Sequence, residues 1–150
     1  MPPPEPRTAG RPFEAAREPT RPCVLLIEDA PDLARFVAVV LKRESIDCIV
    51  AGDGEEGLAM ARAARPHLIL LDVMLPGMSG EEVCRILKTE AALRKIPVVL
   101  LTALGEERSR RIAEEAGADG WMAKPIDLEP FRALLRKNLN PEGRSPGSPG

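Results

Sequence analysis

Three acidic residues, a threonine and a lysine stand at the ends of apolar runs, and their side chains could together bind a cation and a phosphoryl group. Glu28 and Asp29 follow one run, and Asp72 ends another. Like charges in close contact are costly, because each carboxylate raises the pKa of the others. Mg²⁺ removes that conflict, and it usually takes one or two direct carboxylates while keeping positions for waters and phosphate oxygens. If the three acids converge in the fold, they predict a Mg²⁺ site.

Thr102 and Lys124 complete the candidate site, since each stands at the end of a later apolar run. The threonine hydroxyl can donate to a phosphoryl oxygen on Asp72, and the lysine can place a compact positive charge there. A backbone carbonyl just after Asp72, at Met74, is a further candidate metal ligand. Singly, each residue has a simpler interpretation, because threonine favours strands and a lysine before a loop is usually solvated. Their joint occurrence at the ends of these runs favours a shared site.

Five short apolar runs alternate with helical patterns and must position these residues. They are mostly β-rich and continuously apolar, which is typical of strands covered on both faces. The predicted strands are CVLLIE (23–28), DCIVAG (47–52), HLILLD (67–72), PVVLLT (97–102) and the weaker DGWMAK (119–124). Strands that alternate with five helices predict an α/β fold with a doubly wound parallel sheet. Ligands of such sheets bind at the carboxyl ends of the strands, where all the candidate residues fall.

The predicted helices differ in how strongly they are anchored. In three of them the apolar residues recur at helical spacing: Leu33, Phe36, Val37, Val40 and Leu41 in the first, Val83, Ile86 and Leu87 in the third, and Leu128, Phe131, Leu134 and Leu135 in the last. The second contains Leu58 and Ala61. The fourth, around 106–116, offers little beyond Ile112 and alanines. We expect this weakly anchored helix to be a moving part.

Composition excludes several classes of function. The chain has 150 residues and a formal net charge of -2, which argues against nucleic acid as a main partner. No apolar run is long enough to span a bilayer, and the N-terminus has no apolar secretory segment. The three cysteines, Cys23, Cys48 and Cys84, are widely spaced among apolar residues, and we interpret them as buried thiols of a cytoplasmic protein.

Proline marks the domain boundaries. Of 16 prolines, seven lie in residues 1–22 and three in residues 141–150. Both ends are also poor in large apolar groups, so they bury too little surface to offset the entropy of ordering. We predict a disordered Pro-rich tail over 1–21, one domain over 22–139 and a second disordered tail over 140–150.

The segment from Cys23 to about Leu139 resembles the response-regulator receiver domain of two-component signalling. The resemblance rests on Glu28-Asp29, LILLDVMLPGMSGEEVCRILK around Asp72, VVLLTA ending at Thr102-Ala103, and WMAKPID around Lys124-Pro125. The intervals are 43 residues from Asp29 to Asp72, 30 to Thr102 and 22 to Lys124, which are similar to the family's own spacings. The resemblance implies a flavodoxin-like fold with strand order 2-1-3-4-5.

The resemblance also implies the role of each residue. Asp72 would take a phosphoryl group from a phosphohistidine on a sensor histidine kinase or a phosphotransfer protein. Asp29, Asp72 and the Met74 carbonyl would hold Mg²⁺, with Glu28 acting through water. Lys124 and Thr102 would contact the phosphoryl oxygens, so the site would act by positioning and charge neutralisation. Such a domain is a phosphoacceptor, not an enzyme with a separate substrate.

Some positions depart from the usual family pattern. Glu28 stands where an aspartate is often found, and Trp121 stands at the switch position that is usually tyrosine or phenylalanine. The family's path for hydrolytic water is flanked here by Met74 and Leu104, and neither side chain can orient water. We therefore expect slow loss of the phosphoryl group. Whether the Lys124-Pro125 bond is cis is left open by the sequence.

Other classes of protein fit less well. A haloacid-dehalogenase-like phosphatase needs a second acid two residues after the nucleophile, where this chain has Met74. A flavodoxin-like FMN carrier needs a phosphate loop where Glu28-Asp29 would repel phosphate. A degenerate receiver would lack site residues that are present here. No output domain follows residue 140 in this sequence, so we expect a receiver that binds an unknown downstream protein, a step of a phosphorelay, or a fragment of a longer regulator.

Overall fold

A computed structural model describes residues 21–139 of the chain, which form five strands alternating with five helices. The strands are β1 Cys23–Ile27, β2 Asp47–Ala51, β3 Leu68–Asp72, β4 Val98–Thr102 and β5 Gly120–Ala123. The helices are α1 Pro31–Arg43, α2 Gly54–Ala64, α3 Gly80–Thr89, α4 Glu106–Ala116 and α5 Leu128–Leu139. Every predicted element is present, and the strands are shorter than their apolar runs by one residue at one or both ends.

The five strands form one parallel sheet in the order β2-β1-β3-β4-β5. This confirms the doubly wound, flavodoxin-like fold that the sequence predicted. The sheet ends at β2 on one side and β5 on the other. The predicted tails, 1–21 and 140–150, lie outside the described residues except for Arg21, so their disorder and the boundaries of the domain stay predictions.

The hydrophobic core has two layers, one on each face of the sheet. On one face the odd-numbered residues of β1, represented by Leu25, pack with α2, α3 and α4. On the other face Val24 and Leu26 pack with α1 and α5, including the fully buried Phe131. Because β1, β3 and β4 are buried along their whole length, they read as continuous apolar runs.

Two residues predicted to line apolar helix faces are instead exposed. Phe36 in α1 is 36% exposed and Leu128 at the start of α5 is 43% exposed. The predicted apolar face of α1 was too wide, because only Val37, Val40 and Leu41 are buried in this helix. Leu128 is the first residue of α5, and the buried residues of that helix begin at Phe131. Within residues 21–139, no helix is long and apolar enough to cross a membrane.

Two of the helix starts are fixed by side-chain caps. Asp53 caps α2 by accepting from the Glu56 amide, and Ser79 and Glu82 form a reciprocal capping box at α3. The helices α1 and α4 lack such caps, and the N-cap of α4, Gly105, has φ 87°. Only small side chains of α4 are buried, namely Ser109, Ala113 and Ala116. This agrees with the expectation that α4 is weakly anchored.

Candidate phosphoacceptor site

The sequence-predicted site residues converge at the carboxyl edge of the sheet. Asp72 and Thr102 are the last residues of β3 and β4, Glu28 and Asp29 follow β1 directly, and Lys124 follows β5. The edge is held together by the backbone, since the Lys124 amide donates to the Thr102 carbonyl at 2.8 Å. Because β1, β3, β4 and β5 lie side by side in one parallel sheet, their carboxyl ends bring these side chains to one place.

The three acids lie close enough to share a cation. One oxygen from each of Glu28, Asp29 and Asp72 lies within 4.8 Å of the others. Their exposure differs, because Glu28 and Asp72 are buried and Asp29 is exposed to solvent. The group thus has a dry side, which strengthens electrostatic interactions, and an open side through which an ion or a phosphoryl donor can approach.

Lys124 compensates the buried acids from the side of β5. Its Nζ atom donates to Asp72 Oδ1 at 3.0 Å and lies 3.1 Å from Glu28 Oε1. Partial burial by itself lowers the pKa of Lys124, but its contacts with the carboxylates of Asp72 and Glu28 outweigh that effect and raise the pKa. The ammonium group is therefore charged and supplies one positive charge to three carboxylates.

The charged form of Glu28 is destabilised in this arrangement, so its pKa is raised. Burial is the main influence and raises the pKa of Glu28; the Ala30 amide, which donates to Oε2 at 3.1 Å, lowers it in part, and the charge of Asp72 raises it further. The other oxygen of the Glu28 carboxylate, Oε1, is buried, and among residues 21–139 it is compensated by the ion pair with Lys124 Nζ at 3.1 Å. Lys124 is shared with Asp72, so one ammonium faces two buried carboxylates, and a cation or its hydration water beside Asp29 would supply the charge that is still missing. The residues present therefore fit Mg²⁺.

The loop after β3 holds the carboxylate of Asp72 in place. The Met74 amide donates to Asp72 Oδ1 at 3.1 Å, which places the Met74 backbone beside the acids. Gly80, at the start of α3, packs directly on the same loop, and its amide donates to the Val73 carbonyl at 2.9 Å. A Cβ atom at Gly80 would lie 2.2 Å from the Asp72 carbonyl oxygen, so only glycine fits there.

Thr102 is buried, and its hydroxyl oxygen accepts two hydrogen bonds from the α4 side. The donors are the Leu104 amide at 3.1 Å and the Ser109 hydroxyl at 3.2 Å. Sequence reasoning missed Ser109, although a signal was present. Ser109, Ala113 and Ala116 are spaced i, i+4, i+7 and all lie on the buried face of α4. A serine on that face needs a hydrogen-bond partner, and Thr102 is the partner.

A family model for the response regulator receiver domain matches residues 24–136, which is more than half of the chain. The chain belongs to the response regulator receiver domain family. This confirms the resemblance that the sequence motifs suggested. It also agrees with the observed fold, in which an acid-lined edge of a doubly wound parallel sheet faces solvent.

The receiver domain is similar to segments of longer proteins. It is 39% identical over 116 residues to the DNA-binding response regulator MtrA of Mycolicibacterium smegmatis, covering 77% of this chain and 50% of that protein. It is 37% identical over 125 residues to the DNA-binding dual master transcriptional regulator RpaA of Synechocystis, covering 83% and 52%. The chain therefore spans about half the length of these relatives.

Solved structures resemble the receiver domain over nearly their whole length. The chemotaxis protein CheY4 of Vibrio cholerae has a TM-score of 0.74 and 28% identity, covering 79% of this chain and 99% of that chain. The signal receiver domain of a histidine kinase from Syntrophus aciditrophicus has a TM-score of 0.75 and 31% identity, covering 83% and 94%. The same fold thus occurs in response regulators and in a receiver that belongs to a histidine kinase.

The positions that depart from the family pattern border the site of this receiver domain. Trp121 is half-buried on the edge strand β5, where it pairs in register with Leu100 and packs against the same core layer as α4. Met74 is 67% exposed and Leu104 is half-buried. The Lys124-Pro125 peptide bond is cis, which settles the alternative that the sequence left open.

Proposed function

We propose that this receiver domain accepts a phosphoryl group on Asp72 from a phosphohistidine donor in a Mg²⁺-dependent reaction, and that the phosphoryl group changes the binding of a protein partner. The observation that carries the proposal is the placement of Lys124 Nζ, 3.0 Å from Asp72 Oδ1 and 3.1 Å from Glu28 Oε1, beside a solvent-facing Asp29. That arrangement holds a carboxylate nucleophile between a fixed cation and an opening to solvent.

The transfer is a displacement at phosphorus. A carboxylate oxygen of Asp72 forms the new P–O bond, and the P–N bond to the donor histidine breaks, leaving the electron pair on the imidazole nitrogen. Lys124 and the Thr102 hydroxyl then contact the phosphoryl oxygens. The protein contributes chiefly position and charge, as is general for phosphoryl transfer. Apart from its own phosphorylation and slow dephosphorylation, the domain has no turnover reaction in this proposal.

The metal site is made by the acids and one carbonyl. Asp29, Asp72 and the Met74 carbonyl would hold Mg²⁺, and Glu28 would act through a coordinated water, which suits a buried carboxylate beside the other two acids. When bound, the ion neutralises the charge that three acids and an incoming phosphate bring together. Without it, Lys124 alone would have to balance that charge.

The response involves Thr102, Trp121 and the surface made by α4, β5 and α5. Phosphorylation adds charge and acceptor oxygens at Asp72, which draw the Thr102 hydroxyl away from its partners on the α4 side. Space beside β4 then opens, Trp121 turns inward, and α4 shifts. This requires two discrete arrangements, since a packed core does not deform continuously. Few large side chains anchor α4, so it is the element most able to move.

The partners follow from the same chemistry. The phosphoryl donor is a sensor histidine kinase or a histidine phosphotransfer protein. The protein that binds the phosphorylated domain is a downstream protein of the cytoplasm. DNA binding is a described property of the longer relatives, of which this chain spans about half. The described residues offer no basis for assigning it to this domain, and the net charge of -2 does not favour it.

Beryllofluoride, a stable mimic of the phosphoryl group, tests the metal dependence. We expect the protein to bind beryllofluoride with Mg²⁺ and not with EDTA, and Asp29→Asn to weaken the response to Mg²⁺ strongly. Asp32→Asn is the matched control, because Asp32 is an exposed acid three residues further along that pairs with Arg35 and not with the site. Absence of Mg²⁺-dependent binding would favour the alternative function, a degenerate receiver used only as a docking scaffold.

A further inference from the structure

Four polar or charged side chains are buried among residues 21–139, and one of them has no role in the proposed chemistry. Glu28, Asp72 and Thr102 belong to the site, whereas Ser109 lies in the middle of α4 and is 1% exposed. Buried hydroxyl groups are costly unless they are hydrogen-bonded. The position of Ser109 therefore depends on the partner that its hydroxyl finds.

That partner is the switch threonine. Ser109 Oγ donates to Thr102 Oγ1 at 3.2 Å, and the Leu104 amide donates to the same oxygen at 3.1 Å. Both donors belong to α4 or the segment that leads into it, so the Thr102 hydroxyl oxygen is held by that segment. The Ser109 bond is the only side-chain hydrogen bond recorded between α4 and a strand of the sheet within residues 21–139.

Few other buried side chains hold α4 against the sheet, so the hydrogen bond of Ser109 matters for the position of the helix. The helix begins at Gly105 without a side-chain cap, the other buried side chains of α4 are the small Ala113 and Ala116, and its one large aliphatic side chain, Ile112, is only partly buried. Small side chains contribute little burial, because the hydrophobic effect scales with apolar area. A buried hydrogen bond therefore adds a specific link between the middle of α4 and β4.

We propose that Ser109 is a positioning residue that latches Thr102 in the unphosphorylated state and couples the rotation of Thr102 to the movement of α4. The proposal rests on Asp72 being the phosphoacceptor. When Thr102 donates to a phosphoryl oxygen, the Ser109 hydroxyl loses its acceptor inside the core. An unpaired buried hydroxyl destabilises that arrangement, so α4 shifts until Ser109 reaches another acceptor. Ser109 thereby makes activation less favourable, and it transmits the movement of Thr102 to α4 when activation occurs.

Removal of the latch tests the proposal. Ser109→Ala keeps the helix, because alanine is the best helix former, and it deletes the donor to Thr102. We expect the protein to bind beryllofluoride roughly two- to tenfold more tightly in the presence of Mg²⁺, the ratio that corresponds to one neutral hydrogen bond. Fluorine NMR of the bound beryllofluoride measures the affinity. If Ser109→Ala did not fold, Ser109→Cys, whose thiol is a weak donor, would provide the same comparison.

Two further variants separate a latch from a general loosening of α4. In a Thr102→Ala background, Ser109→Ala should leave the beryllofluoride affinity unchanged, because the two residues act through one bond. Ala113→Gly, one turn further along the buried face, weakens the helix without touching Thr102 and should not tighten binding. Equal tightening by Ala113→Gly, or a Ser109 effect that survives Thr102→Ala, would overturn the latch.

The remaining outcomes distinguish this inference from the function on which it rests. If Ser109→Ala binds beryllofluoride no more tightly than the wild type, and the wild type binds it normally, the latch proposal is wrong. The assignment of Asp72 as the phosphoacceptor is then unaffected. Failure of the wild type to bind beryllofluoride with Mg²⁺ removes the proposed function, and the latch falls with it.

Discussion

Gly80 allows us to test how tightly the fold fixes the phosphoacceptor. The start of α3 lies directly against the backbone of Asp72, and a Cβ atom added at Gly80 would lie 2.2 Å from the Asp72 carbonyl oxygen and 2.7 Å from Val73 Cα. Both atoms belong to the backbone, so no side chain can rotate to relieve the clash. In Gly80→Ala the helix must move away from the end of β3.

The size of the effect follows from that geometry. Contacts of a Cβ atom essentially never fall below 3.0 Å, so the backbones must separate by about 0.8 Å or more. Overpacking a core costs about 3 kcal/mol when the backbone must shift, and the better helix propensity of alanine returns up to about 1 kcal/mol. We therefore expect Gly80→Ala to lower the free energy of unfolding by about 2 kcal/mol or more. Displacement of Asp72 should also slow acyl-phosphate labelling roughly tenfold to hundredfold.

Two other glycines provide matched controls for urea unfolding and for labelling by acetyl phosphate. At Gly52 the nearest atom to an added Cβ is Glu56 Oε1 at 3.8 Å, so Gly52→Ala should leave both measurements nearly unchanged. Gly77 has φ 77° and open space around it, so Gly77→Ala should cost about 1 kcal/mol from backbone strain alone. If Gly80→Ala were as stable and as reactive as Gly52→Ala, the close approach of α3 to Asp72 would be wrong.

Three further predictions concern the surroundings of the site. Met74→Asn should speed loss of the phosphoryl group, because an amide can orient water and a thioether cannot; an unchanged hydrolysis rate of the phosphorylated protein would contradict this. Trp121 is the only tryptophan, so its emission should change with Mg²⁺ and beryllofluoride and change less in Thr102→Ala; equal emission in the free and activated wild type would show that it is not the switch. Cys23 and Cys84 are buried as expected, whereas Cys48 is only half-buried. Burial raises the pKa of Cys48 and of Cys84 to about 11, so at neutral pH both thiols are protonated in the folded state, and reaction with iodoacetamide should accelerate as pH rises toward 11 or in urea; rapid alkylation of native Cys84 at pH 7 would refute this.

The fold could be predicted because its strands are buried on both faces. Continuous apolar runs distinguish β1, β3 and β4 from helices, and the polar residue that ends each run marks the carboxyl edge of the sheet. The placement of Glu28, Asp72 and Thr102 together follows from that rule alone. The predicted strand ends differ from the observed ends by one residue, because the sequence pattern does not show which backbone groups pair with a neighbouring strand.

Features that depend on tertiary packing were not predicted. The neighbouring acids differ in solvent exposure, since Glu28 is buried and Asp29 is exposed. The apolar pattern of the sequence does not distinguish their burial. Phe36 and Leu128 match helical stripes but are exposed, and periodicity alone does not show how wide a buried helix face is. Ser109 was overlooked because a polar residue on a weakly apolar helix normally indicates a solvated position, and only the approach of α4 to Thr102 reverses that expectation.

The most direct test of the account is the site of acyl phosphorylation. The protein is incubated with acetyl phosphate and Mg²⁺, its intact mass is measured, and the labelled aspartate is located by borohydride reduction and peptide mapping. We predict a mass gain of one phosphoryl group that maps to Asp72, requires Mg²⁺ and is absent in Asp72→Asn but retained in Asp32→Asn. A label on another aspartate, or equal labelling of Asp72→Asn and the wild type, would contradict the assignment of Asp72 as the phosphoacceptor.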